Sequence, residues 1–314
     1  MWQIFDPLTT RLPFSRWGRA TLWISLAAML GAALSLVYPG LRFGLDFTGG
    51  TMVELKFEQA VEIGEVRRRL AEAGFEDALV QTFGAANDIV VRLAPREGEA
   101  TDQQLGTRIR DLLAEGGLKS ELMRVEFVGP QIGRELAEDG VVAIFVVIVG
   151  LLIYIAARFE WRFALAAVAA EVHDAVITVG LLALLGKEID LTVLAALLAV
   201  IGYSINDTIV VFDRIRELFR SSRKQTPEEV INQAINQTLA RTLITSFLTL
   251  LAVVALYLAG GPALEGFSLT LIIGIVVGTY SSILFAAPIL LKLGVSKQDL
   301  MPKMRDESDL ARRP

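Results

Sequence analysis

The chain has 314 residues, 53% of them hydrophobic and 21% charged, with a mean hydropathy of +0.52 and a formal net charge of −5. So apolar a chain crosses a membrane several times, and so much charge requires a polar domain outside the bilayer. The acidic balance without a basic patch excludes nucleic-acid binding, the lack of cysteine excludes disulfides and thiolate chemistry, and the single histidine, His173, excludes a multi-histidine metal site.

Residues 1–19 form a polar and aromatic lead with Arg11, Arg16 and Arg19. The apolar run over 20–38 is longer than the ~7–15 residues of a signal-peptide core and lacks an A-x-A site, so it reads as an uncleaved first span. Residues 39–139 form the polar domain. Val53, Leu55 and Phe57 alternate with Glu54 and Lys56, the period of a half-buried strand. Residues 61–73 read as a helix with Val66 and Leu70 on one face and Gly74 as its stop. Strands are expected over 78–83 and 89–93, joined through Gly84 and Asn87. A second helix starts at Thr101, with Gln104 completing a capping-box pattern, carries Ile109, Leu112 and Leu113 on its apolar face, and ends at Gly116 and Gly117. A last strand covers 121–128. The order β-α-β-β-α-β predicts a ferredoxin-like split βαβ module, and about 100 residues suffice to bury one core.

Five further spans are expected over 140–293: 140–157, 163–185, 191–212, 239–258 and 267–293. A tail covers 294–314. Arginine and lysine gather in the lead, in the turn 158–162, in the loop after the fourth span (Arg214, Arg216, Arg220, Arg223, Lys224) and in the tail (Lys297, Lys303, Arg305, Arg312, Arg313). The two other short turns hold only Lys187. By the positive-inside rule both termini are cytoplasmic and the polar domain lies across the membrane. Thr226, Pro227 and Glu229 mark the start of a surface helix that runs into the fifth span.

The fourth span reads LTVLAALLAVIGYSINDTIVVFDRIR and carries Asn206 and Asp207 inside the apolar run. A carboxylate in lipid costs at least ~2.5–3.5 kcal/mol, so such a group faces the protein interior and usually serves function. Glu171, His173 and Asp174 lie ~12–17 Å into the third span, and Asp207 lies ~9 Å before Asp213, at ~1.5 Å per residue. Arg241 enters the fifth span from the same side, so a polar cluster across three spans is geometrically feasible. Asp207 is either a protonatable relay group or half of a static ion pair with Arg241. His173 is either functional or a helix-packing hydrogen bond, and Glu171 or Asp174 could face a water-filled entrance. Gly274 and Gly278 form a GxxxG pattern expected to serve close helix packing. The residues lack HExxH spacing, the context of an aspartyl dyad, a serine triad and a phosphate-binding loop, so an enzyme is not expected.

Several motifs stand in a fixed order: FGLDFTGGTMVEL over 43–55, VGPQIGREL over 128–136, His173-Asp174, GYSINDTIVVFDRIRE over 202–217, INQTLARTLITS over 235–246 and GTYSSILFAAP over 278–288. Together they cover almost the whole chain and closely resemble the SecD/SecF family of bacterial protein translocase subunits, on the SecF side, within the RND superfamily. The resemblance implies a six-span helical membrane protein of RND type with a ferredoxin-like α+β periplasmic domain in the bacterial inner membrane. It implies a SecD partner in a twelve-span unit, association with the SecYEG translocon and often with YajC and YidC, and contact with the exported unfolded polypeptide. The expected role is to use the proton-motive force for late translocation, with no cofactor beyond the proton. The family's proton-pathway carboxylate and arginine map onto Asp207 and Arg241, with Asn206, His173 and Asp174 beside them. Asp46, Gly49 and Gly50 belong to its periplasmic motif. The SecD half is not in this sequence, so a separate subunit is expected. Two other readings are an RND-type exporter half for a small molecule or lipid, and a passive scaffold of the translocon.

Overall fold

The computed structural model describes residues 12–83, 85–94, 102–222 and 224–296. The first part of the lead with Arg11, the turn residue Gly84, the expected cap Thr101, Arg223 and the tail from Lys297 lie outside the described residues. Six helical segments are long and apolar enough to cross a membrane: Phe14–Gly40, Pro130–Arg158, Trp161–Leu184, Leu191–Ser221, Pro227–Ala259 and Pro262–Lys292. They make this a multi-pass membrane protein. Their outward faces carry Phe145, Val146, Ile153, Phe247, Leu251 and Leu258, all exposed as lipid-facing positions must be.

In chain order, α1 (Phe14–Ser35) is the first span, followed by a kinked turn, Leu36–Gly40, in which Tyr38 is extended. The polar domain contains β1 (Arg42–Phe43), α2 (Leu45–Thr48), β2 (Gly50–Phe57), α3 (Ile63–Glu72), β3 (Leu79–Phe83), β4 (Ala85–Leu93), α4 (Asp102–Glu115) and β5 (Ser120–Val128). Then come α5 (Pro130–Arg158), α6 (Trp161–Leu184), β6 (Glu188–Ile189), α7 (Leu191–Ser221), α8 (Pro227–Ala259) and α9 (Pro262–Ser281). A π-helical turn, Ser282–Ala286, leads to α10 (Ala287–Lys292). Pro288 explains that turn, because a proline ring clashes with the carbonyl four residues back and removes one backbone donor, here widening the helix before it.

The four-stranded sheet has the order β3-β4-β2-β5, with every pair antiparallel, and its helices α3 and α4 follow the first and third strands. This is the ferredoxin-like arrangement expected from the strand and helix order. Val53, Leu55 and Phe57 point to the buried side, where Val66 and Leu70 of α3 and Ile109 and Leu113 of α4 cover them. Gly74 takes a φ of 90° and Gly117 a φ of 84°, the left-handed conformation that closes each helix.

Two helix starts extend beyond their apolar runs. The helix α5 begins at Pro130, so residues 130–139, polar enough to read as part of the soluble domain, form a helical stalk beneath the second span. The helix α8 begins at Pro227 with a complete capping box: Glu229 N–H donates to Thr226 Oγ1 at 3.3 Å, and Thr226 N–H donates to Glu229 Oε2 at 2.8 Å. It runs unbroken into the fifth span, as the sequence predicted.

Small residues set the helix packing. A Cβ on Gly180 would lie 2.6 Å from the Ala32 Cα, so α1 and α6 touch almost backbone to backbone, and Ser35 Oγ donates to Gly180 O at 2.7 Å. A side chain on Gly274 would overlap Val200, and a Cβ on Gly278 would lie 3.0 Å from Ser204 Oγ. The GxxxG pattern of α9 is thus the contact surface for α7.

Candidate functional site

The fourth span, α7, carries the site and is fixed at its N-terminal end by the motif around Asp46. Gly44 N–H donates to Ile189 O at 2.7 Å, and β1 pairs in parallel with β6 just before α7 starts. Asp46 Oδ2 accepts the Leu191 N–H at 2.9 Å, while Asp190 Oδ1 accepts the Val193 N–H at 2.7 Å. Two of the unpaired donors at the α7 N-terminus therefore have carboxylate acceptors, where the helix dipole favours negative charge. Gly49 and Gly50 have φ of 67° and 120°. A Cβ on Gly49 would lie 3.1 Å from Pro130 Cα, and one on Gly133 would lie 3.0 Å from Gly49 N, so this motif packs on the start of α5. From the sheet, Gln81 Nε2 donates to Glu188 Oε1 at 2.6 Å and Arg92 pairs with Glu188.

Within the membrane the polar groups form two neighbouring nests. In the first, His173 and Asp174 of α6 are 0% and 1% exposed. Asp174 Oδ1 lies 2.7 Å from His173 Nδ1, and Asp174 Oδ2 accepts Ser281 Oγ at 2.6 Å and Ser204 Oγ. The His173 ring stacks on Phe285 with centroids 4.3 Å apart, and its Nε2 has no hydrogen-bond partner among the described residues. Glu171 adjoins Asp174 and Ser204. The Ser204 hydroxyl donates its single proton to Asp174 Oδ2, and both Glu171 oxygens are buried without a hydrogen bond among the described residues.

In the second nest, Asp207 of α7 is 3% exposed. Its Oδ2 accepts Ser246 Oγ of α8 at a long 3.4 Å. Ser246 Oγ lies 2.7 Å from Thr279 Oγ1 of α9 and 3.3 Å from the Tyr203 hydroxyl. The Thr279 hydroxyl is also 2.6 Å from Ile275 O, so its one proton goes either to the backbone or to Ser246. Each choice fixes whether Ser246 can donate to Asp207 or must donate to Thr279. The two nests share helices: Ser204 stands one turn before Asp207 on α7, and Thr279 and Ser281 are two residues apart on α9. A buried carboxyl among re-orientable hydroxyls has the chemistry to take up and release a proton.

Of the residues singled out by sequence, the structure brings His173 and Asp174 into one nest and Asp207 into the adjoining one. Asn206 and Arg241 are exposed on the membrane-spanning surface of the chain. No hydrogen bond or ion pair joins Arg241 to Asp207 among the described residues. Asp213 lies in a charged belt at one end of the bundle, with Arg158 at 2.6 Å and Arg216 at 3.5 Å, and Arg216 also reaches Glu160 at 3.3 Å. Sequence reasoning did not single out Ser204, Ser246, Thr279 and Ser281. Their signal was weak: hydroxyls within motifs, one of them three residues from an intramembrane aspartate.

Comparison with known proteins gives two family matches. Residues 108–296 match the model of the protein export membrane protein SecD/SecF, C-terminal, and residues 35–61 match the SecD/SecF GG motif. Proteins named protein translocase subunit SecF are similar across most of their length. That of Vibrio alginolyticus is 46% identical over 96% of each chain. That of Escherichia coli O157:H7 is 45% identical over 92% of this chain and 90% of its own. That of Pseudomonas aeruginosa is 49% identical over 84% of this chain and 85% of its own. Among solved structures, the translocon-associated membrane protein SecDF of Thermus thermophilus aligns with a TM-score of 0.84 at 38% identity. That alignment covers 94% of this chain and 40% of the SecDF chain, so this chain spans less than half of that protein's length.

Proposed function

The chain belongs to the SecD/SecF family of protein export membrane proteins, and from that premise we propose that it is the SecF-type subunit of a Sec protein-export machine driven by the proton-motive force. It works with a SecD-type partner beside the SecYEG translocon, together with YajC and YidC, and helps pull unfolded polypeptides across the inner membrane late in export. Both termini are cytoplasmic and the ferredoxin-like domain is periplasmic, a placement supported by the arginines 158, 214 and 216 gathered at one end of the bundle.

The observation that carries the proton step is Asp207: a buried carboxyl inside a spanning helix, held among the described residues by one long hydroxyl contact and by no ion pair. A purely structural carboxylate in this setting would be expected to have a close, permanent partner. Asp207 is the proton-binding group. The nest of His173 and Asp174 stabilises the adjoining helices and hands on protons through Ser204. Moving one charge through 100 mV supplies ~2.3 kcal/mol, enough to shift a two-state equilibrium more than tenfold. The exposed Asn206 and Arg241 support a partner chain on this face, since an arginine and an amide directed at lipid would be costly. No chemical conversion and no resident cofactor enter this scheme.

The test is proton flux in vesicles that contain this chain with its SecD-type partner. Asp207→Asn is expected to abolish flux and proton-dependent stimulation of export while the complex still assembles. Normal flux in that variant would leave a passive translocon scaffold as the better description.

A further inference from the structure

The helix ends opposite the Asp46 clamp enclose a cleft between α1, α8 and α10 with a volume of about 190 Å³. Its floor is apolar, built from Leu22, Ile235, Ile283 and Leu291. Its rim carries Arg19 and Lys292, both exposed and neither in a hydrogen bond or ion pair among the described residues. The walls are held by polar contacts and close packing. Asn232 Oδ1 accepts the Ser15 N–H at 2.8 Å, and Asn236 bonds both Leu12 N–H and Leu12 O at 3.0 Å. A Cβ on Gly18 would lie 3.2 Å from Pro288, so α1 and α10 meet directly beneath the cleft.

We propose that this cleft binds one anionic phospholipid, with the phosphodiester between Arg19 and Lys292 and an acyl chain along the apolar floor. The charges support this occupant. The rim holds two cations and one anion, Glu228, whose Oε1 is taken by Ser15 Oγ at 2.7 Å. The rim is left with one positive charge to be matched, which a single phosphodiester supplies. The location supports it as well, because Arg19 and Lys292 sit at the ends of spanning segments, the depth of lipid headgroups, and Leu22 leads the cleft inward along α1. A soluble phosphate would leave the apolar floor wet, and a zwitterionic lipid would leave the excess positive charge unmatched.

The experiment is native mass spectrometry of the purified, delipidated full chain with added phosphatidylglycerol, phosphatidylcholine or inorganic phosphate. The wild type is expected to keep one phosphatidylglycerol per chain in preference to phosphatidylcholine, and millimolar inorganic phosphate is expected not to displace it. The double variant Arg19→Gln/Lys292→Gln is expected to bind phosphatidylglycerol about thirtyfold more weakly, at about 1 kcal/mol for each cation. Arg16→Gln, on the same helix but outside the cleft, is expected to bind as the wild type does, and thermal unfolding checks that each variant is folded. Equal retention of the two lipids, displacement by phosphate, or unchanged binding in a folded double variant would overturn the assignment.

Discussion

Removing the Asp46 carboxylate tests how the polar domain is fastened to the fourth span. In Asp46→Ala the Leu191 N–H, at the very start of α7, loses its acceptor in a partly buried joint. Losing a cap of this type costs about 0.5–2 kcal/mol, and losing negative charge at a helix N-terminus adds about 0.3–1 kcal/mol. The expected local loss is therefore about 2 kcal/mol, or about thirtyfold in the opening equilibrium. Asp46→Asn keeps a carbonyl acceptor and gives up only the charge, so about 0.5–1 kcal/mol is expected. Hydrogen exchange at the Leu191 amide of the purified full chain reads this directly. The Ala variant should exchange about thirtyfold faster there and the Asn variant only a few fold faster, with little change at Val193, which Asp190 caps. Unchanged exchange at Leu191 in the Ala variant, or equal acceleration in both variants, would refute the fastening role.

Two other substitutions probe the bundle. Ser246→Ala removes the hydroxyl that contacts Asp207 and, through Thr279, ties α8 to α9. At 3.4 Å this contact is worth no more than an ordinary hydrogen bond, about 0.5–1.5 kcal/mol, so proton flux in partner-containing vesicles is expected to fall by about two- to tenfold without loss of assembly. Wild-type flux in Ser246→Ala, with Asp207→Asn inactive, would remove Ser246 from the pathway. Gly274→Val forces a branched side chain into Val200, and overpacking of this kind costs about 1–3 kcal/mol. The purified variant should melt several degrees lower, and an unchanged melting temperature would mean that α7 and α9 are not in the contact described.

The spans and the sheet were legible because each rests on a period that sequence displays directly. Apolar runs of bilayer length and the alternation of Val53, Leu55 and Phe57 leave little choice of element. Helix starts were less legible. Residues 130–139 are polar, so hydropathy places them outside the span, while Pro130 at the first helical position shows where α5 begins. The same contrast holds at the site. Asp207, His173 and Asp174 stand out because charge in an apolar run is costly, whatever the fold. Ser246 and Thr279 do not, because hydroxyls are cheap in spanning helices, where they can bond to their own backbone, as Thr279 does with Ile275. Only the rotation of α8 and α9 about their axes turns these two toward Asp207, and no linear pattern encodes that rotation.

Asp46 carries this point furthest. Its motif was conspicuous, yet its hydrogen-bond partner lies 145 residues away at the head of α7. The helix then runs unbroken from Leu191 to Ser221, so Asp207 stands sixteen residues from the clamp, about 24 Å along a continuous rod at ~1.5 Å per residue. A packed helix moves as a body, and a shift of α7 at Asp207 reaches β6 and, through Glu188, the Arg92 and Gln81 contacts of the sheet. The two glycines of the motif serve the same joint. Their left-handed backbone lets β2 start directly against Pro130 and Gly133, so the sheet is fastened to α5 as well as to α7. The proton binding proposed for Asp207 would therefore act on the sheet-bearing domain without a separate signalling element, because the helix that holds the carboxyl is the helix on which the domain is seated.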